Sequence, residues 1–293
     1  MEKIRETVFL TRKEKAEGNE CLRLHDDGNL VWLSSPALDS HKWILHGFST
    51  RLGGVSTGET GTMNLSYPRE ENRDNVTENY RRIAAAIGFD PAKIVMSAQT
   101  HTVNIRQVEE DDIGSGFTKE RSYANIDGLI TNIPGAVLTV FSSDCVPLLI
   151  ADPVHKAVGA AHSGWRGTVG DMAGYMLQEM KRAYGTSPED VTAVLGPSIC
   201  GNCYEIGPEV AEEFRSAYPS QWWPSLLREK ENGKYLLDLW QACALNFARA
   251  GVLPQNIHKT DICTYCNPAL LFSHRRQFGK QGNLGAFIAV REI

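Results

Sequence analysis

The sequence predicts a single compact α/β domain in which helices and strands form mixed layers around a mixed β-sheet. Three short apolar runs within residues 136–167, partly β-branched and separated by polar breaks, are typical of core strands. Amphipathic helical patterns and strand patterns also interleave along the chain without a strict βαβ repeat. The 293 residues are 42% hydrophobic and contain no internal repeat or clear linker, so they can bury one sizeable core.

Short apolar runs bounded by turn residues predict the strands. They lie at residues 30–33, 94–98, 129–131, 136–141, 146–151, 157–161, 191–195 and 287–290. Residues 46–56, which include the pair Gly53-Gly54, are interpreted as a loop that continues through Leu65 and so includes Asn64.

Apolar residues at helical spacing predict four helices, over residues 74–88, 168–184, 208–218 and 237–251. In the first of them, Asp74 is a candidate N-cap and Gly88 a C-terminal stop. Residues 1–24 are charged and are interpreted as an N-terminal extension, which leaves residues 25–293 as one catalytic domain.

Charge and cysteine content narrow the class of protein. The net charge is −5 and there is no long basic run, which argues against nucleic acid as a partner. The first residues lack the apolar core of a signal peptide, and no apolar run approaches the roughly 20 residues that span a membrane. We therefore expect a cytoplasmic protein whose seven cysteines are thiols or metal ligands before they are disulfides.

Three residues at strand ends form the strongest candidate site. His101, Cys145 and His162 each follow or interrupt an apolar run, and two imidazoles with one thiolate suit zinc, with copper as an alternative. Three protein ligands leave a fourth position for water or substrate. The spacing matches no short metal motif, so two other interpretations stay open. Cys145 is either a small core residue beside a hydrogen-bonded histidine, or a nucleophile paired with a histidine as in cysteine hydrolases.

Two further groups of residues are candidates for binding. Cys200 and Cys203 form one CxxC pair and Cys263 and Cys266 another, which is a zinc signature, but the pairs are far apart and a disulfide or free thiols are favoured. The candidate anion-binding arginines are Arg51, Arg166, Arg275 and Arg276. Arg166 is the best placed of the four, because it precedes a predicted helix start.

Some familiar signatures are absent from the sequence. It has no Walker loop, no GxGxxG and no HxE with PCxxC. Residues 54–58 match GxSxG, but without a preceding strand or a following helix the match is interpreted as chance. Eight histidines, no two separated by a single residue, speak against a copper oxidase with an added trinuclear cluster.

Several short motifs occur in the order found in one known family. They are HGFSTR at 46–51, QTH at 99–101, DG at 127–128, DCVP at 144–147, HSGWRG at 162–167, GPSI at 196–199 and SHRR at 273–276. With these motifs the sequence, from about residue 25 onwards, resembles the YfiH/YlmD type, described as purine nucleoside phosphorylase and formerly labelled polyphenol oxidase or laccase domain.

The resemblance implies one α/β domain with a fold shared with certain cysteine hydrolases, and a zinc ion held by His101, Cys145 and His162. It also implies phosphorolysis of adenosine and inosine to the free base and ribose 1-phosphate, action on S-methyl-5′-thioadenosine, and adenosine deamination. The sequence departs from the family pattern after Arg276. Where the family continues with Asp-Gly and then Thr-Gly-Arg, residues 277–283 read QFGKQGN. Ser142-Ser143 also stands where Thr-Ala is common.

Our leading hypothesis is a zinc-dependent purine nucleoside enzyme that is a monomer or a homodimer. Arg51 and Arg166 are predicted to position phosphate, and Asp144 to support Cys145 or to accept a proton. Asn64 and Arg275 are predicted to contact substrate. The competing hypotheses are a cysteine-dependent amidase or hydrolase using Cys145, a copper-dependent polyphenol oxidase, and a zinc-stabilised binding protein without catalytic activity.

Overall fold

The computed structural model describes residues 21–292, so the predicted N-terminal extension lies largely outside the described residues. Its predicted boundary after residue 24 falls within the first strand.

The described strands are β1 (Arg23–Asp26), β2 (Val31–Ser34), β3 (Ile44–Ser49), β4 (Ile94–Met96), β5 (Ile105–Gln107), β6 (Gly128–Thr131), β7 (Val137–Ser142), β8 (Val146–Asp152), β9 (Ala157–Ser163), β10 (Thr192–Leu195), β11 (Glu205–Ile206), β12 (Leu227–Glu229), β13 (Tyr235–Leu237), β14 (Ile257–His258) and β15 (Leu284–Val290).

The helices connect the strands and cover the sheets. They are α1 (Pro36–Asp39), α2 (Arg73–Ile87), α3 (Trp165–Val169), α4 (Met172–Tyr184), α5 (Pro208–Ala217), α6 (Trp223–Leu226) and α7 (Leu239–Arg249). Within residues 21–292, no helix is both long enough and apolar enough to cross a membrane.

Two six-stranded mixed sheets form the centre of the molecule, which confirms the predicted mixed α/β class. The first sheet has the order β1-β2-β3-β15-β7-β4 and the second the order β14-β10-β8-β9-β6-β5. One apolar cluster, which includes Leu138 of β7 and Leu149 of β8, draws on strands of both sheets and lies between them. The three strands β11, β13 and β12 form a separate small sheet.

Helices pack on the outer faces of both sheets and make four layers. Tyr80 and Ile83 of α2 cluster with Val137 and Phe287 of the first sheet. Helices α4 and α7 cluster with Leu148 and other residues of the second sheet. Because side chains of a strand alternate between faces, each central strand contributes to two of these layers, which explains its continuous burial.

The hairpin of β8 and β9 lies in the middle of the second sheet, as residues 136–167 predict. Its antiparallel register pairs Pro147 with His162 and Val146 with Ser163. Cys145, directly before β8, and His162, near the end of β9, therefore lie at the same end of the hairpin. The predicted strands at 94–98, 129–131 and 191–195 also form, as β4, β6 and β10.

The structure corrects three local predictions. Residues 46–49 belong to β3 and are not loop; Gly47 lets α2 pack closely there, because a Cβ would lie 2.6 Å from Cδ1 of Ile87, which would then have to shift. The N-cap of α2 is Asn72, whose side chain accepts from the Asp74 N–H, in place of Asp74 itself. The predicted helix over 168–184 is two helices, since Asp171 has a left-handed φ of 63° and caps α4.

Buried Asn79 ties α2 to the segment that follows β3. Its Oδ1 accepts from the Val55 N–H at 2.8 Å, and its Nδ2 donates to Asn64 O at 2.8 Å and to Ser56 Oγ at 3.0 Å. Asn79 is fully buried, so water cannot replace these partners without rearrangement. The side chain therefore holds the glycine-containing loop against the outer helix.

We expect the Asn79→Ala variant to lower the free energy of unfolding by about 2–3 kcal/mol, because buried backbone groups lose their partners. Urea unfolding measures the difference. The control is Glu78→Ala, next to it on α2 but exposed in an ion pair with Arg82, which we expect to change stability by less than about 0.5 kcal/mol. Equal effects of the two variants would contradict this role of Asn79.

Candidate functional site

His101, Cys145 and His162 lie together at the ends of strands that belong to the two sheets. His101 follows β4, Cys145 lies between β7 and β8, and His162 belongs to β9. Their potential ligand atoms all lie within 4.8 Å of one another. The two imidazole rings are 4.9 Å apart between centroids, with an angle of 82° between their planes. Three residues that are distant in sequence thus form one compact donor set.

The carboxylate of Asp127 organises this donor set. It is fully buried directly before β6, and its Oδ1 lies 2.8 Å from His162 Nδ1 and accepts from the His101 N–H at 3.1 Å. Its Oδ2 accepts from the N–H of Thr100 at 2.9 Å and from the N–H and Oγ1 of Thr102, both at 3.0 Å. A carboxylate bonded to Nδ1 directs the Nε2 of His162 to the ligand position.

The backbone around the site is held in uncommon conformations. His101 has a φ of 64° and Asp144, beside Cys145, a φ of 88°, both in the left-handed region that few non-glycine residues adopt. The three N–H donors to Asp127 stabilise the turn at His101. Gly164 lies so close that a Cβ there would be 2.9 Å from the His101 ring and 3.0 Å from Cys145 Sγ. A larger residue at this position would therefore have to displace the His101 ring or the Cys145 sulfur.

The charges of Cys145, His162 and Asp127 support one another. Burial opposes ionisation of Cys145, but His162 and His101 lower the pKa of its thiol to about 6. Burial likewise disfavours the imidazolium of His162, but Cys145 and Asp127 raise its pKa to about 9. Burial would raise the pKa of Asp127, but the hydrogen bonds from His162 and from the N–H groups of Thr100 and Thr102 lower it to about 2. Near neutral pH the thiolate, the form that binds metals, is therefore favoured.

The donor set fits a metal ion. Two imidazole nitrogens and one thiolate are ligands that zinc prefers, and copper accepts the same set. An imidazole that is hydrogen-bonded to a carboxylate through its other nitrogen is the usual arrangement around a bound zinc. His101 is exposed and Cys145 half-buried, so a fourth position would face outward from the protein.

A cleft of about 1380 Å³ opens over the three residues. Its aromatic lining residues are Tyr67, Phe117, Tyr123, Phe141, Trp165 and Tyr204, and its arginines are Arg69, Arg73, Arg121, Arg166 and Arg275. The guanidinium of Arg166 lies 4.2 Å from the ring centroid of Trp165 and is exposed. Within residues 21–292, Arg166 makes no ion pair with a carboxylate. The cleft can thus stack a flat ring and bind an anion.

Two predicted binding residues lie outside the cleft lining. The guanidinium of Arg51 donates to Gly61 O at 2.9 Å and to Pro268 O at 2.9 Å, and it lies over the Phe272 ring. Asn64 is fully buried, and its Oδ1 accepts from the N–H groups of Ser66 and Asn283. These placements depart from the predicted contacts with phosphate and substrate, because the polar atoms already bind backbone.

Asp144 and Arg275 do line the cleft, and they are connected. The Asp144 Oδ2 accepts from the Arg275 N–H at 2.7 Å, while its Oδ1 accepts from Thr264 Oγ1 at 2.5 Å. The Arg275 guanidinium donates to Glu205 O at 2.6 Å and lies 5.2 Å from the Tyr204 ring centroid. Both oxygens of Asp144 are thus used to hold the cleft wall beside Cys145.

The sequence places Asp127 in the DG motif at 127–128 without assigning it a role, and it leaves Tyr204, Arg69 and Arg121 without one as well. The feature that would have identified Asp127 as a partner of His162 is the pairing of β6 with β9. The register of β6 with β9 pairs Gly128 with Ala161, which places the preceding Asp127 next to His162. That pairing joins segments distant in sequence, so the local pattern does not contain it.

Comparisons with known proteins agree with this architecture. The family described as multi-copper polyphenol oxidoreductase laccase matches residues 45–291. Purine nucleoside phosphorylase YlmD of Geobacillus stearothermophilus is 35% identical over 247 residues, 84% of this chain and 90% of that protein. The crystal structure of YlmD from the same organism aligns with a TM-score of 0.85 and 33% identity, covering 94% of this chain and 100% of that one.

Two other relatives have different lengths or names. Purine nucleoside phosphorylase LACC1 of Mus musculus is 36% identical over 272 residues, 90% of this chain but 59% of that protein. This chain therefore spans less than two thirds of that relative. Adenosine deaminase RL5, from an unknown prokaryotic organism, is 34% identical over 198 residues, 66% of this chain and 74% of that protein.

We expect the Asp127→Asn variant to bind zinc about 10–100-fold more weakly at His101, Cys145 and His162, since the amide cannot hold His162 and three N–H groups as the carboxylate does. Competition with a chelating dye measures the affinity, and Cys145→Ala provides the blank.

The matched control for this variant is Asp152→Asn. Asp152 is also buried, also binds a histidine through Nδ1, of His155 at 2.8 Å, and also accepts backbone N–H groups, but it does not line the cleft. Zinc affinity should be unchanged in this control. An equal loss of affinity in both variants would show a general loss of stability and would refute the positioning role of Asp127.

Proposed function

This chain belongs to the family described as multi-copper polyphenol oxidoreductase laccase, and from that premise we propose that it is a zinc-dependent purine nucleoside phosphorylase. The resemblance to the YfiH/YlmD type is confirmed by the relatives and by the solved structures. Those relatives are named purine nucleoside phosphorylases. The observation that carries the proposal to this chain is the donor set of His101, Cys145 and His162 at the base of an aromatic and cationic cleft.

The proposed substrates are adenosine, inosine and S-methyl-5′-thioadenosine, together with phosphate. In phosphorolysis a phosphate oxygen forms a bond to the anomeric carbon while the bond from that carbon to the purine nitrogen breaks. The leaving base takes up a proton, and the products are the free base and a sugar 1-phosphate. The cleft must therefore hold a flat base, a sugar and an anion side by side, and its volume of about 1380 Å³ accommodates them.

The residues of the chain take distinct roles in this proposal. Arg166 binds the phosphate, because its guanidinium is exposed in the cleft and can donate two parallel hydrogen bonds. The aromatic side chains of the lining stack the purine. Asp144 positions the wall beside Cys145 through Thr264 and Arg275. A zinc ion held by His101, Cys145 and His162 would supply Lewis acidity toward an oxygen of water or substrate.

Adenosine deamination is a second activity proposed for the same site. A relative named adenosine deaminase supports it, and the reaction would use water in place of phosphate. Water adds at the amino-bearing carbon of the purine, ammonia leaves, and inosine is formed.

The cysteine-dependent amidase and the copper-dependent polyphenol oxidase are not favoured, because the curated relatives are named for nucleoside reactions. We further propose a cytoplasmic monomer or homodimer.

The test uses the full chain purified without added metal, with its metal content measured by mass spectrometry. The protein is incubated with adenosine, with and without phosphate, and the products are separated by chromatography. We expect adenine and ribose 1-phosphate to appear only with phosphate, and both to disappear after chelation and return with zinc. Inosine formed without phosphate would indicate deamination. Metal-free protein with full turnover would refute the zinc-dependent proposal.

We expect Arg166→Ala to raise the KM for phosphate by about 10–100-fold, because a charge-assisted pair is lost. Arg166→Lys should restore part of the affinity. The control is Arg182→Ala on α4, an exposed arginine paired with Glu179 outside the cleft, which should leave the KM unchanged. An unchanged KM for phosphate in Arg166→Ala would assign phosphate binding to another arginine.

A further inference from the structure

Four cysteines outside the cleft lining converge from two loops. Cys200 and Cys203 lie between β10 and β11, and Cys263 and Cys266 between β14 and β15. The four sulfur atoms all lie within 4.8 Å of one another. Cys200 and Cys263 are buried, while Cys203 and Cys266 are half-buried. The two CxxC pairs are far apart in sequence, which argues against a shared site. In the fold, however, the two loops are adjacent, so the pairs lie close together.

The four side chains are thiols and not two disulfides. The sulfur atoms of Cys203 and Cys266 are 3.5 Å apart, whereas a disulfide bond is about 2.05 Å long. A single ion that binds four sulfurs tetrahedrally at about 2.3 Å separates them by about 3.8 Å. An iron–sulfur cluster spaces its cysteines more widely, since several metal and sulfide ions lie between them. The spacing therefore fits one mononuclear ion.

The backbone around the cysteines is arranged as for bound thiolates. The Cys200 N–H donates to the Cys263 sulfur at 3.3 Å, and such a donor stabilises negative charge on a ligand sulfur. In the first pair, the N–H groups of Cys203 and Tyr204 both donate to Cys200 O, which closes a tight turn. In the second, Asn267 Nδ2 donates to Cys263 O at 2.8 Å. Each turn brings its two sulfurs to the same side.

We propose that Cys200, Cys203, Cys263 and Cys266 bind one structural zinc ion, separate from the cleft. Four thiolates in two CxxC pairs complete a tetrahedral shell and leave no position for substrate, which is the pattern of a structural site. Binding releases the protons of the thiols. The proposal does not depend on the proposed function.

The zinc would fasten two walls of the cleft to each other. Ser198 and Cys263 form a bridge between the two loops. The Ile199 N–H donates to Asp144 O at 3.0 Å, and the hydroxyl of Thr264 donates to the Asp144 carboxylate. Tyr204, next to Cys203, lines the cleft. An ion at the four cysteines would thus hold the residues that position Asp144.

The test counts zinc in variants of the full chain, produced with zinc and purified under reducing conditions. The Cys145→Ala variant lacks a ligand of the cleft site, and we expect it to retain about one zinc per chain. The double variant Cys203→Ser/Cys266→Ser should lose that zinc in the Cys145→Ala background. Cys243→Ala, which removes a buried cysteine outside both clusters, should lose none. Absence of zinc from Cys145→Ala would overturn the proposal.

A second measurement does not depend on whether the double variant folds. Cobalt replaces zinc in Cys145→Ala, and four thiolate ligands should give intense sulfur-to-cobalt charge-transfer absorption with tetrahedral visible bands. Chelation should also lower the Tm of this variant. Iron in place of zinc, disulfides found by mass spectrometry, or a cobalt spectrum without thiolate bands would each overturn the proposal. Since turnover is not measured, the result stands apart from that of the nucleoside assay.

Discussion

The buried carboxylate of Asp127 is the interaction on which the candidate site depends. It accepts five hydrogen bonds from two segments that are distant in sequence, residues 100–102 and His162 of β9. Two of the resulting constraints act on donor residues, since the carboxylate orients the ring of His162 and holds the left-handed turn at His101. A buried anion is tolerated only when its partners are this complete. The same contacts that keep Asp127 ionised therefore fix the geometry of the donor set.

The layered architecture explains why the cleft forms where it does. Both sheets are covered on their faces by each other and by helices, so only their edges and strand ends remain for binding. Strands β4, β6, β8 and β9 end or begin at the same edge, and the loops between them carry the polar residues. Rigid strands buried on both faces are thus joined to loops that can hold reactive side chains at fixed distances.

Local patterns were sufficient for the central hairpin and for three of the four predicted helices, and they singled out His101, Cys145 and His162, which the fold brings together. Apolar periodicity and a polar residue at a strand end are both short-range signals. Such local signals were insufficient where a residue packs against, or hydrogen-bonds to, a segment that is distant in sequence. The strand β3 contains His46 and Gly47, and its burial depends on α2 and β15. Arg51 resembles an anion-binding residue in sequence, yet carbonyl groups of residues distant in sequence accept its hydrogen bonds.

The two CxxC pairs are an intermediate case, since their spacing suggested a metal site but only the fold brings the pairs together.

The turn of the central hairpin lies at the opposite end from the site. Residues 153–156 connect β8 to β9, and Lys156 adopts a left-handed φ of 52° there. An insertion inside either strand would shift the register by a residue and turn His162 to the other face of the sheet. An insertion in the turn leaves the pairing of Pro147 with His162 intact. Evolution can therefore vary the length of this chain at the turn, whereas the strand lengths leading to Cys145 and His162 are fixed by the donor set.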